Sequence, residues 1–119
     1  MQITLKEIVD ARDAFINLSK LRLPIKQGYD FAKIIRKCNN ELEIFQGIRK
    51  DIIQKYTSEG IEITSEINQI IMNELTQALN ALVEIPVNKV DLSEIKSIEI
   101  TPQDILMLEP FCIFETIIL

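Results

Sequence analysis

A chain of 119 residues that is 47% hydrophobic is long enough for one domain with a sizeable core, and too apolar to stay disordered at a net charge of −5. It has no histidine, which removes the commonest general base, the Ser-His and Cys-His nucleophile pairs and every His-based metal site. No apolar run reaches the roughly 18 residues of a membrane span, and no basic stretch followed by an apolar one opens the sequence; the expected location is the cytosol, or a particle packaged from it, with no membrane partner.

In chain order, Thr4-Leu5-Lys6-Glu7 reads as a capping box, with Thr4 at the N-cap and Glu7 reaching back to its amide. Leu5, Ile8, Ala11, Phe15 and Leu18 make one apolar face and predict a first helix from Leu5 to Lys20. Pro24 ends the connection, because the residue before a proline avoids helical geometry. The strongest signal follows. Phe31, Ile35, Cys38, Leu42, Phe45, Ile52 and Tyr56 keep a 4-3-4-3 spacing broken only by Arg49. That is a coiled-coil-like seam on one continuous helix from Ile25 to Thr57. Gly47 inside it costs about 1 kcal/mol against alanine and marks a close helix approach or a slight bend; Gly60 supplies a stop.

Ile61-Glu62-Ile63-Thr64 alternates like a short strand. Thr64 or Ser65 then caps a third helix, with Ile67, Ile70, Ile71, Leu75, Ala78, Leu79 and Leu82 on its buried face and Pro86 closing it. Helices one and three together match the long helix, so they are expected along its first and second halves. Residues 86–92 and 97–100 read as two strands. Thr101 at N-cap, Pro102 and Asp104 open a short helix that ends by Leu108. Residues 111–119 are strongly apolar for a terminal segment, which fits either a last strand or docking onto another chain. These elements predict a mainly α fold with a small β element in a single domain, 1–119. Residues 1–84 form an antiparallel helical hairpin or three-helix bundle around the long central helix, and 85–119 add a small antiparallel sheet near the C-terminus.

Chemistry is harder to find. Asp10 and Asp13 share a helix face beside Lys6 and Arg12 and read as solvated, while Glu41 and Glu43, two apart, cannot share one. Ser93-Glu94-Ile95-Lys96 matches Ser-x-x-Lys without its companion motifs. Gly28, Gly47 and Gly60 are too far apart for a phosphate-cradling loop. Cys38 and Cys112 make neither a disulfide framework nor a metal motif, and Cys38 in the seam reads as a buried thiol. The expectation is no enzyme: no catalytic residue, cofactor or metal.

The charge is split. Residues 1–57 carry 11 Lys/Arg against 7 Asp/Glu, and residues 58–119 carry 2 against 11. Either each half has a solvated face, or the acidic half of one chain docks on the basic half of another. Lys26, Lys33, Arg36 and Lys37 form a candidate basic patch of the kind phosphate binding needs; the acidic whole, and Tyr29 as the one interleaved aromatic, weigh against nucleic acid. Glu59, Glu62 and Glu66 form a candidate acidic patch that would mimic nucleic acid. Ile53, Tyr56, Phe111, Ile113, Ile117 and Leu119 have the least reason to be covered within one chain and are the candidate protein-interface residues. Arg49 either faces a carboxylate of the third helix or a partner, or bends out to solvent.

Leu21-Arg22-Leu23-Pro24-Ile25-Lys26, with Tyr29, Ala32-Lys33-Ile34, Asn40-Glu41-Leu42, Phe45, Arg49 and Lys55-Tyr56, resembles a family of small proteins of tailed phages and prophages of Gram-positive bacteria. The likeness continues through Asn73-Glu74-Leu75 and the Glu-x-Pro at Glu84 into Thr101-Pro102-x-Asp104, and leaves out Ile117-Ile118-Leu119. The family has no assigned function, so the resemblance implies a phage origin and a helical hairpin with a small β element, and carries over no site residues. The expected role is assembly or structure through protein–protein contacts, with self or another phage protein as partner. The alternatives are inhibition of a host defence protein through the acidic half, and a nucleic-acid-binding helical module.

Overall fold

The apolar seam folds as one helix, and the rest of the chain is arranged along it. A computed structural model describes residues 1–57, 64–95 and 98–114. In order they form β1 (Gln2–Thr4), α1 (Leu5–Asp10), α2 (Arg12–Ser19), α3 (Ile25–Thr57), α4 (Ser65–Leu79), β2 (Leu82–Glu84), β3 (Val90–Asp91), α5 (Pro102–Leu108) and β4 (Cys112–Ile113). The fold is mainly α with a small β element, as the sequence predicts. At 33 residues, α3 is about 50 Å long and sets the shape: 57 × 25 × 24 Å, with a radius of gyration of 17.6 Å, where a compact chain of this length would have about 13–14 Å.

The capping box forms as read. Thr4 Oγ1 accepts from the Glu7 amide at 3.2 Å, and the Thr4 amide donates to Glu7 Oε1 at 3.0 Å. The first helix divides at Ala11, so the predicted 5–20 helix is two short ones. Together they bury Leu5, Ile8, Ala11, Ala14, Phe15 and Leu18.

On α3 the fully buried positions are Phe31, Ile34, Cys38, Leu42 and Phe45. Ile34 is fully buried where the seam expects Ile35, which is half-buried and packs at the edge of the same core; positions three and four on from Phe31 both neighbour it on the helix surface. Arg49 is exposed. Gly47 marks no close approach: a Cβ there would meet nothing within 4 Å.

Thr64 caps α4, its hydroxyl accepting from the Ile67 amide at 3.2 Å. The helix stops at Leu79, earlier than the pattern predicts. Leu82 therefore sits on a strand and is exposed, as is Ile70 on the helix. β2 runs antiparallel to β1 with Ile3 opposite Val83, and the Leu5 amide donates to the Ala81 carbonyl at 2.9 Å. The ladder ties residues 82–84 back to the start of the chain. Only its inward residues, Ile3 and Val83, are buried, the alternation of a one-sided sheet.

The predicted strand at 61–64 lies mostly outside the described residues. Of the predicted strands 86–92 and 97–100, only Val90–Asp91 forms among the described residues, and 98–100 is irregular. β3 pairs with β4, in parallel, with Val90 opposite Cys112. α5 lies between them in sequence, and a parallel pair needs such a crossover. α5 starts and ends as predicted, with Thr101 Oγ1 accepting from the Asp104 amide at 3.2 Å. It packs on α2, and β3 packs on α3. One core results: Phe15 meets Phe31 at 5.8 Å and Phe111 at 4.8 Å between ring centres, both edge-on.

Candidate protein-interaction site

Two surfaces stand out. The first is an arm, made of the distal part of α3 and α4. From Gln46 to Thr57 no residue of α3 is fully buried, and on α4 only Ile71 is. Ile71 also lies outside the main core cluster. Two helices side by side bury one stripe each and leave both flanks open. Ile44 (58% exposed) and Ile48 follow one another by a turn on α3, while Ile70 and Met72 (52% exposed) flank Ile71 on either side of α4. Polar contacts also join the two helices. Tyr56 Oη donates to Glu74 Oε1 at 2.8 Å, and Lys55 Nζ lies 3.7 Å from the same oxygen and 5.1 Å from the centre of the Tyr56 ring.

Of the predicted interface residues, Ile53 and Tyr56 belong to this arm and are half-buried, Tyr56 with its hydroxyl on Glu74 of α4. Phe111 does not belong to any interface. It is fully buried in the core beside Phe15, because α5 packs on α2 and β4 pairs with β3 on either side of it, which the sequence pattern could not show. Ile113 is exposed on β4, and Ile117 and Leu119 lie outside the described residues. Glu59 and Glu62 of the acidic patch lie outside them too; Glu66 is exposed in the first turn of α4. Ile44, Ile48, Ile70 and Met72 were missed as surface residues. The isoleucine pair at 44 and 48, one turn apart but off the seam, was the available signal.

The second surface is a groove of about 290 Å³ along the first half of α3, lined by Tyr29, Ala32, Lys33, Arg36, Lys37, Asn40 and Pro86. It gathers three of the four predicted basic residues. Lys33 Nζ sits 4.3 Å above the Tyr29 ring, and Lys37 pairs with Glu41 one turn on at 3.0 Å. Lys26 is separated from them. It lines a neighbouring hollow with Gln27, Asp30, Asn88, Lys89, Asp91 and Glu94. Asp91 there is held below the usual carboxylate range by hydrogen bonds from the Ser93 hydroxyl and amide. Ser93 is thus engaged with Asp91, at 2.5 Å to its hydroxyl; Lys96 of the Ser-x-x-Lys match lies outside the described residues.

Both thiols are buried and free. Burial first, and then nearby Glu41, pushes Cys38 up from 9.0 to about 12 against the opposing pull of Lys37. Burial does the same for Cys112, with Lys89 opposing. Both stay protonated at neutral pH and are poor nucleophiles. Among the described residues, no group of three or more His, Cys, Asp or Glu is placed to hold a metal ion, and no helix is long and apolar enough to cross a membrane. No family model, curated protein or solved structure matches this chain.

Proposed function

We propose that this protein is a non-enzymatic accessory protein of a tailed phage or prophage, acting in assembly or structure through protein–protein contacts in the host cytoplasm or the virion. The observation that carries this reading is the arm: two helices that pack chiefly on each other and leave Ile44, Ile48, Ile70 and Met72 uncovered. Its contact is a second copy of the same arm, completing a four-helix bundle in which both flanks find apolar partners. Charge favours that pairing. The distal part of α3 carries Arg49, Lys50 and Lys55 against Asp51, while α4 carries Glu66 and Glu74 and no Lys or Arg. Placing α3 of one copy over α4 of the other brings opposite charges together. The phage origin rests on the sequence resemblance alone.

The test is sedimentation velocity over a wide concentration range. A concentration-dependent dimer or higher oligomer is expected, abolished by Ile70→Glu or Met72→Glu with the helical circular dichroism signal retained. A monomer at every concentration overturns the self-association reading.

A further inference from the structure

We propose that the groove beside Tyr29 binds an acidic peptide segment of a partner protein, with a carboxylate seated between Lys33 and Arg36 and an adjacent apolar side chain resting on Tyr29 and Pro86. The inference stands apart from the arm, because the groove lies on the first half of α3, and it needs no self-association.

Three observations carry it. The groove brings Lys33, Arg36 and Lys37 together on little more than one turn of helix. Lys37 is committed to Glu41 and Lys33 is stacked on Tyr29, while Arg36 makes no ion pair or hydrogen bond among the described residues. An exposed guanidinium with its fork open is the side chain best suited to a carboxylate, which it takes through two parallel N–H donors. The apolar part of the surface is equally specific. Tyr29, which lines the groove, is 64% exposed. Ala32 adds no long side chain to the lining, and Pro86 joins it from the segment after β2. Basic and apolar groups alternate within one short hollow, which matches a segment that places Asp or Glu next to Leu, Ile or Phe.

A nucleic acid fits less well. A phosphate backbone needs cations repeated along its path, and here the positive run is short. One end stops at the Lys37–Glu41 pair, and the next hollow holds Asp30, Asp91 and Glu94 against Lys26 and Lys89, which repels a continuing polyanion.

The experiment is an array of random nonapeptides probed with the whole chain, followed by fluorescence anisotropy of the best peptide at low and high salt. The array also carries overlapping peptides from residues 58–119, and a single-stranded oligonucleotide is titrated beside the best peptide. Enrichment of Asp or Glu next to a large apolar residue is expected, with binding that weakens as salt rises. Arg36→Ala should weaken it roughly tenfold, about 1.4 kcal/mol, and Lys33→Glu/Arg36→Glu should remove it. All of these positions are exposed, so the variants should keep the wild-type melting curve. Ile70→Glu, on the arm, should bind the peptide as wild type does. Enrichment without acidic residues, binding unchanged in the double variant, tighter binding of the oligonucleotide, or preference for the chain's own peptides would each overturn the assignment.

Discussion

Helix α3 carries one apolar seam into two different settings. Its first half lies in a base formed with α1, α2, α5 and the strands, where Phe31, Ile34 and Cys38 are sealed beneath neighbours on several sides. Its second half meets mainly α4, and the same kind of residue, Ile52 or Tyr56, is only half covered. The spacing of the seam is the same in both. Periodicity fixes which side of a helix is apolar, and the number of neighbours fixes how much of that side leaves water. A base with one contiguous core should unfold as a unit, and an arm of two helices should open more easily.

The sharpest way to break that contrast is to cut the base. Phe111→Ala removes a fully buried ring with an edge-on partner, and a loss of about 4 kcal/mol is expected, read as the shift in urea midpoint with unchanged slope. A loss below about 1 kcal/mol would mean that β4 is not part of the core. Raising the pH comes next. Each thiol titrates near 9.0 when unfolded and near 12 when folded, so the neutral form is favoured in the fold. That stability is fully present below the unfolded value and is lost as pH rises from about 9 toward 12. On the order of 3 kcal/mol per thiol should go by pH 11, and Cys38→Ala/Cys112→Ala should flatten the slope of stability against pH in this range.

Smaller effects sharpen the arm. Ile71→Ala should cost about 2 kcal/mol, with amide exchange quickening in α4 while α1 and α2 keep their protection. Equal quickening everywhere would show arm and base to be one cooperative unit. Thr4→Ala removes the hydroxyl that caps α1 and should cost about 1 kcal/mol in thermal denaturation. The smallest effect has the opposite sign. Gly47→Ala places a methyl group into open space on a helical backbone, and a gain of about 0.5–1 kcal/mol is expected.

Local rules were legible wherever a feature depends on residues within one or two turns. The Thr4–Glu7 box, the Thr101 cap and the full length of α3 could be read directly, and so could the burial of Cys38, while the cap of α4 was narrowed to Thr64 or Ser65. Leu82 shows the limit. By spacing it continues the apolar face of α4, yet Val83 and Ile85 also alternate as a strand does, and pairing with β1 some 80 residues earlier decided between the two. Phe111 shows the same limit for the site. An apolar residue near a chain end looks uncovered until β4 is known to lie beside β3.

The sequence by itself determined the long helix, the caps and the start of each helix, because hydrogen bonds to a cap and helical periodicity are set by near neighbours; the break at Ala11 and the early end of α4 at Leu79 it did not. Only the tertiary structure decided which faces would be covered. It closed the base around Phe15 and Phe111, gathered Lys33, Arg36 and Lys37 with Tyr29 and Pro86 into one groove, and left the flanks of the arm open, since burial depends on how many elements reach a surface and not on the pattern written along it.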